Sequence, residues 1–137
     1  MKITIVSSMA FAKEIIEVKN YLEKKLHSVW FPPNTYSCLE DMENSTSLDF
    51  CIKNNLLAKC FERIEKHDAI LVLNYEKNWI KGYVWWASLM EIWIAYYLKK
   101  KIFVLNELPS ENELKYVWEI YQSKPIILSE NLDLIEE

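Results

Sequence analysis

The sequence predicts a three-layer α/β fold: a doubly wound, five-stranded parallel sheet of strand order 2-1-3-4-5. Three observations carry this. Short apolar runs alternate along the chain with longer stretches of helical period. The run Ala69-Ile-Leu-Val-Leu73 is apolar at every position, as a strand covered on both faces must be. A loop, a helical stretch and a second apolar run, Lys101-Ile-Phe-Val-Leu-Asn106, follow it, which makes a β-α-β unit.

The elements follow in order. Lys2 to Val6 is a strand, apolar and rich in β-branched residues. Ser7-Ser8-Met9 is its turn. A helix spans about Met9 to Leu26, with Phe11, Ile15, Val18, Leu22 and Leu26 near helical spacing. Ser28 to Phe31 is a short strand, ended by Pro32-Pro33. Asn34 to Ser47 is polar and turn-rich with no period, so it reads as a long loop, either closing over a site or simply exposed. Leu48 to Lys66 reads as one helix, with Ile52, Leu56, Cys60, Phe61 and Ile64 as its apolar stripe. The third strand opens at Asp68 and reaches Asn74. A helix from about Ala87 to Lys99 has Ser88 and Glu91 spaced as a capping box. Ile102 to Leu105 is the fourth strand. Pro109-Ser110 starts a fourth helix through about Tyr121, with Ser110 and Glu113 as its box, and Pro125 to Leu128 is the fifth strand. The flavodoxin-like order 2-1-3-4-5 puts the topological switch point between strands one and three. Ligands of open α/β sheets bind there, beside Ser8 and Asn74.

The chain has 137 residues, the size of a single domain, and half of them are apolar, enough for a core. A net charge of −4 argues against a nucleic-acid surface. The apolar runs are broken by charge well short of a membrane span, and the first residues read as a strand rather than a leader, so a cytoplasmic location is the expectation. Three widely spaced cysteines, Cys38, Cys51 and Cys60, suit reduced thiols. With only His27 and His67, no metal-ligand spacing is present, and no cofactor is implied. Tyrosines and tryptophans in number make a homo-oligomer plausible.

From Asp68 onward the chain resembles the nucleoside 2-deoxyribosyltransferase-like family. The matching residues are Asp68, Asn74, Gly82, Tyr83, Ala87, Glu91, Ile92, Ala95 and Lys100 to Asn106, with Ile5 to Phe11 as a weaker match to the family's first strand and loop. The resemblance implies transfer or hydrolysis of the N-glycosidic bond of a small-molecule nucleoside or nucleotide. It assigns Glu91 as the nucleophile that forms a covalent sugar–enzyme ester, with Tyr83 orienting the carboxylate or the sugar. Ser7, Ser8, Asn74, Gly82 and Asp68 are the implied substrate-binding residues. A carboxylate near the start of a helix is favoured in its charged form, which suits a nucleophile. The chemistry parallels retaining glycoside hydrolysis. From the pattern alone, Glu91 reads first as a capping residue, Ser7 and Ser8 as a helix cap, and Asp68, if it opens the strand, as a turn residue far from the carboxyl edge. The family's further Asp shortly before the Glu has no counterpart, since no acid lies between Glu76 and Glu91.

One number is out of line. The chain has one glycine and six tryptophans, where average usage of about 7% predicts roughly ten glycines. Trp85, Trp86 and Trp93 stand where the family has glycine, and Trp79 follows Asn78 where Asn-Gly would make a turn. UGA is read as tryptophan in some genetic codes and as glycine in others. Two readings are open. Trp30, Trp79, Trp85, Trp86, Trp93 and Trp118 are glycines rendered in the wrong code, or the indoles are real and fill the pocket, leaving a non-catalytic nucleotide-binding module.

Overall fold

The computed structural model describes residues 1–136. Five parallel strands form one sheet in the order β2-β1-β3-β4-β5: β1 (Lys2–Val6), β2 (Ser28–Trp30), β3 (Ala69–Val72), β4 (Lys101–Val104) and β5 (Ile126–Ile127). The predicted order is the observed one. Ile3 pairs with Ala69 and Val6 with Val72, so β1 and β3 end level at their carboxyl edge.

The side-chain alternation of the central strands builds two cores. Val6, Ile70, Val72, Ile102 and Val104 point to one face. There they meet Ile64 of α5 (Leu56–Lys66), Leu89, Ile92 and Ala95 of α6 (Trp86–Tyr97), and Val117 and Ile120 of α7 (Val117–Gln122). Ile3, Ile5, Leu71, Leu73, Phe103 and Leu105 point to the other face. They meet Ile15, Val18 and Leu22 of α1 (Ala12–Lys24), together with Leu128 and Ile135 of the C-terminal segment. With both faces covered, β3 is buried along its whole length, which is why its sequence carries no polar alternation.

The structure corrects four expected elements. The stretch 34–47 is not a loop. It forms α2 (Thr35–Glu40) and α3 (Met42–Ser45), held by the buried Asn34 amide donating to Ser45 O at 3.1 Å and by Asp41 accepting from Asn44 N at 3.2 Å. The helix expected over 48–66 is two helices, α4 (Leu48–Lys53) and α5, broken at Asn54-Asn55. Asn54 turns its amide back onto Phe50 O at 2.9 Å, and Asn55 sits at φ 50°, a left-handed conformation that asparagine tolerates. The box of Ser110 and Glu113 forms only in half, with Ser110 N donating to Glu113 Oε1 at 3.4 Å and Glu113 N donating to Ser110 O instead of the hydroxyl, and it closes a single turn. The helix starts later, at Val117. In between, the Tyr116 hydroxyl is tied to Val84 O and Leu114 is buried, which fixes this segment against the sheet layer.

The fourth correction bears on the site. α6 begins at Trp86, with Trp85 as an extended residue before it and no side chain capping it. Ser88 is therefore inside the helix and buried, not a cap. Glu91 falls in the second turn, beyond the reach of the helix dipole's positive end.

Candidate functional site

β1 and β3 are neighbours, and the helices that follow them, α1 and α6, pack on opposite faces of the sheet, so their carboxyl ends form the topological switch point. Ser7 and Ser8 lie on its β1 side. Ser8 caps a 3₁₀ turn, Met9–Phe11, accepting from Ala10 N at 3.3 Å. The Ser7 hydroxyl reaches Leu73 O at 3.4 Å, across to the end of β3. On the β3 side, Lys77 donates to Ser8 Oγ at 3.0 Å. Its ammonium also sits 4.1 Å from the centre of the Trp85 ring, in cation–π contact. Trp86 leans on Trp85, with ring centres 6.2 Å apart. Ser8, Lys77 and Trp85 thus form a strap across the switch point. Burial lowers the Lys77 pKa from its ordinary value. Sequence reasoning missed Lys77; it lies in a short run of polar residues, and only the hairpin described below aims it at Ser8.

Glu91 lies on α6 close to Cys60 of α5, whose thiol is pushed up to about 12, first by burial and then by the Glu91 charge. Burial raises the Glu91 carboxyl itself to about 8. The expected ionisation by the helix dipole is therefore replaced by its opposite: desolvation favours the neutral acid. Among the described residues no hydrogen bond or ion pair reaches this carboxyl. No buried side-chain polar atom among them lacks a partner either, so solvent touches the group. Glu91 is a partly buried acid held without a protein partner, which is uncommon for a structural residue.

Tyr83 precedes α6 and packs against the same core. Its hydroxyl meets that of Tyr116, and burial, then this contact, pushes Tyr116 up to about 12.

Three predicted residues do other work. Asn74 is fully buried: its amide donates to Gly82 O at 3.2 Å and Asn106 O at 2.9 Å, and its oxygen accepts from Asn106 N at 2.8 Å. It clasps the ends of β3 and β4 from this position. Gly82 stands at φ 73°, and a Cβ there would lie 2.0 Å from Glu107 O, so its backbone approach serves the fold. Asp68 sits at the amino edge of β3, at the far end of the sheet from the switch point. It accepts from Lys2 N at 2.7 Å, and this bond holds its carboxyl below the usual range.

An open groove lies beyond β3, β4 and β5, walled by Glu76, Glu107 and Glu130 with Lys81 and Gly82. Three acids against one base repel a phosphate, and neither Glu91 nor Tyr83 lines it. Among the described residues no cluster of His, Cys, Asp or Glu can hold a metal ion, and no helix is long and apolar enough to cross a membrane.

No protein-family model matches the chain, and no curated protein matches it. A solved structure does. The CMP N-glycosidase BcmB of Clostridium botulinum superposes with a TM-score of 0.53 at 19% identity, over 94% of this chain and 89% of that one. The two share a fold.

Proposed function

We propose that the chain cleaves or transfers the N-glycosidic bond of a (deoxy)nucleoside or nucleotide, with Glu91 as nucleophile. The carrying observation is the Glu91 carboxyl: partly buried, unpartnered, its pKa pushed up to about 8, on the helix that follows the switch-point strand. The shared fold with a CMP N-glycosidase supports this substrate class.

In the first step a carboxylate oxygen of Glu91 bonds to C1′ of the sugar as the C1′–N bond breaks. The bonding electrons leave with the base, which takes a proton from water. A poorly solvated carboxylate is the stronger nucleophile for having shed its hydration. In the second step water attacks C1′, the ester oxygen leaves as the Glu91 carboxylate, and a proton passes to solvent. A second base in place of water gives transfer. Two displacements return the starting stereochemistry. Tyr83, ahead of the helix, orients sugar or carboxylate, and Ser7 and Ser8 line the β1 side of the site. Asn74, Gly82 and Asp68 are assigned no contact with substrate.

Since only the ionised form attacks, kcat/KM rises with pH up to about 8, the pKa of the free protein. Release of free base from a panel of nucleosides and nucleotides tests the reading. Release that disappears in Glu91→Gln supports it, and release that survives there overturns the nucleophile. One observation favours a second reading. The strap of Ser8, Lys77 and Trp85 crosses the switch point, as a module that binds without turnover would have it. Saturable binding of a nucleotide with no base release is its signature.

A further inference from the structure

We infer that residues 79, 85, 86 and 93 are glycine in the natural polypeptide, encoded by UGA, and that the Trp85 ring stacked on Lys77 is absent from it. The inference stands independently of the glycosidic chemistry.

The decisive position is 79. Lys77 and Ile80 form an antiparallel bridge, with Lys77 N donating to Ile80 O at 3.2 Å and Ile80 N to Lys77 O at 3.0 Å. Asn78 and Trp79 are the two residues between them, at φ 53° and 63°. A two-residue hairpin with both φ positive is a type I′ turn, for which Asn-Gly is the preferred pair. Asparagine is in its favoured place. The second position holds a tryptophan, among the residues least suited to a left-handed backbone. Its indole gains nothing in return, being 96% exposed.

Trp86 and Trp93 are misplaced in the same sense, while Trp85 is half-buried. An indole carries one of the largest apolar surfaces of any side chain and is highly buried on average. Trp86 and Trp93 are 58% and 47% exposed on the outer side of α6. The buried residues of that helix are Ser88, Leu89, Ile92 and Ala95, so the core is complete without them. Trp85 caps nothing, and its ring rests on Lys77 and Trp86 alone among its aromatic and cationic neighbours. No β-strand, core cluster or buried hydrogen bond depends on an indole at any of the four positions. The exposed indoles are therefore no docking face. They are side chains at positions where the fold asks for none.

The consequence for the site is direct. Without the Trp85 ring, Lys77 loses the face it lies on, and the strap from Ser8 is held by one part-buried hydrogen bond. With no side chains at 85 and 86, a ligand can approach the backbone there, at the start of α6.

The test reads the source gene and the native protein. Codons 79, 85, 86 and 93 are expected to be UGA. Trypsin cuts after Lys77, Lys81 and Lys99, so peptide 78–81 reports position 79 and peptide 82–99 reports the other three. Glycine masses in both peptides of the natively produced protein establish the proposal; UGG codons, or indole-bearing peptides, overturn it. A second measurement uses the chain made with tryptophan. Trp79→Gly is expected to raise the unfolding temperature by several degrees and Trp79→Ala to raise it less. A lower unfolding temperature for Trp79→Gly would overturn the turn argument.

Discussion

Replacing Glu91 with glutamine separates its role in stability from its role in chemistry. Burial raises the carboxyl from 4.5 to about 8, so the folded state holds the proton more tightly than the unfolded state does. At about 1.36 kcal/mol per pH unit, the full shift is worth roughly 4–5 kcal/mol. Solvent touches the group, which screens part of it, leaving about 2–3 kcal/mol. The sign follows from linkage. A raised folded pKa gives stability that is fully present below pH 4.5 and is lost as the pH rises through about 8. Glutamine has no proton to lose. Its variant therefore gains on the parent as the pH rises, by about 2–3 kcal/mol between pH 4.5 and pH 8.5. His67 adds the opposite slope. Burial, then the Arg63 charge, lowers its pKa, so its contribution is lost as the pH falls through the histidine range. That slope is common to both proteins and cancels in their difference. Urea unfolding of parent and Glu91→Gln at several pH values measures the quantity. Parallel curves would show that Glu91 ionises freely in the fold, and the account of its burial would then be wrong. A variant that is more stable above pH 8 yet releases no base ties both roles to one carboxyl.

Three further variants probe the frame around the site. Gly82→Ala places a methyl 2.0 Å from Glu107 O at a backbone φ of 73°, so it should cost about 3 kcal/mol or more by chemical denaturation; a cost under 1 kcal/mol would deny the close approach. Asn74→Ala leaves Asn106 N and the Gly82 and Asn106 carbonyls without their partner, for a loss of about 2–4 kcal/mol by urea titration, where a neutral result would mean water takes its place. Asp68→Asn lies at the amino edge of the sheet, so base release with an unchanged KM is expected, and a large rise in KM would return this acid to the site.

Strand order, and with it the switch point between β1 and β3, was legible because it rests on apolar periodicity and chain direction, both written residue by residue. β3 is the clearest case: five apolar residues in a row admit only a strand covered twice. The helices of 34–47 and the break at Asn54-Asn55 were not legible, because hydrogen bonds made by single polar side chains set them, whereas the helical character of 48–66 was read from its apolar stripe. Asn34 reaching Ser45 O and Asn54 reaching back to Phe50 O leave no period to detect. The reading of Ser88 and Glu91 as a capping box failed for a related reason. A box needs its serine outside the helix, and α6 starts two residues earlier, at Trp86. That error has a chemical consequence, since an acid in the first turn is charged by the dipole whereas Glu91 in the second turn is neutralised by burial.

The tryptophans join these threads. A start of α6 at residue 86, preceded by an extended residue 85 with no capping side chain, is the geometry of a loop whose backbone rather than its side chains faces a ligand. Glycines at 85 and 86 would let water and substrate reach that backbone. If the indoles contribute to the burial of Glu91, their loss draws its pKa down from about 8 toward the ordinary carboxylate range, because the shift is caused by burial. The glycine form should accordingly show a smaller difference between parent and Glu91→Gln on raising the pH. Its base release should reach its plateau at lower pH. If the glycine form keeps the full slope of the tryptophan form, the packing of α6 against α5 around Cys60, and not the indoles, is what desolvates Glu91.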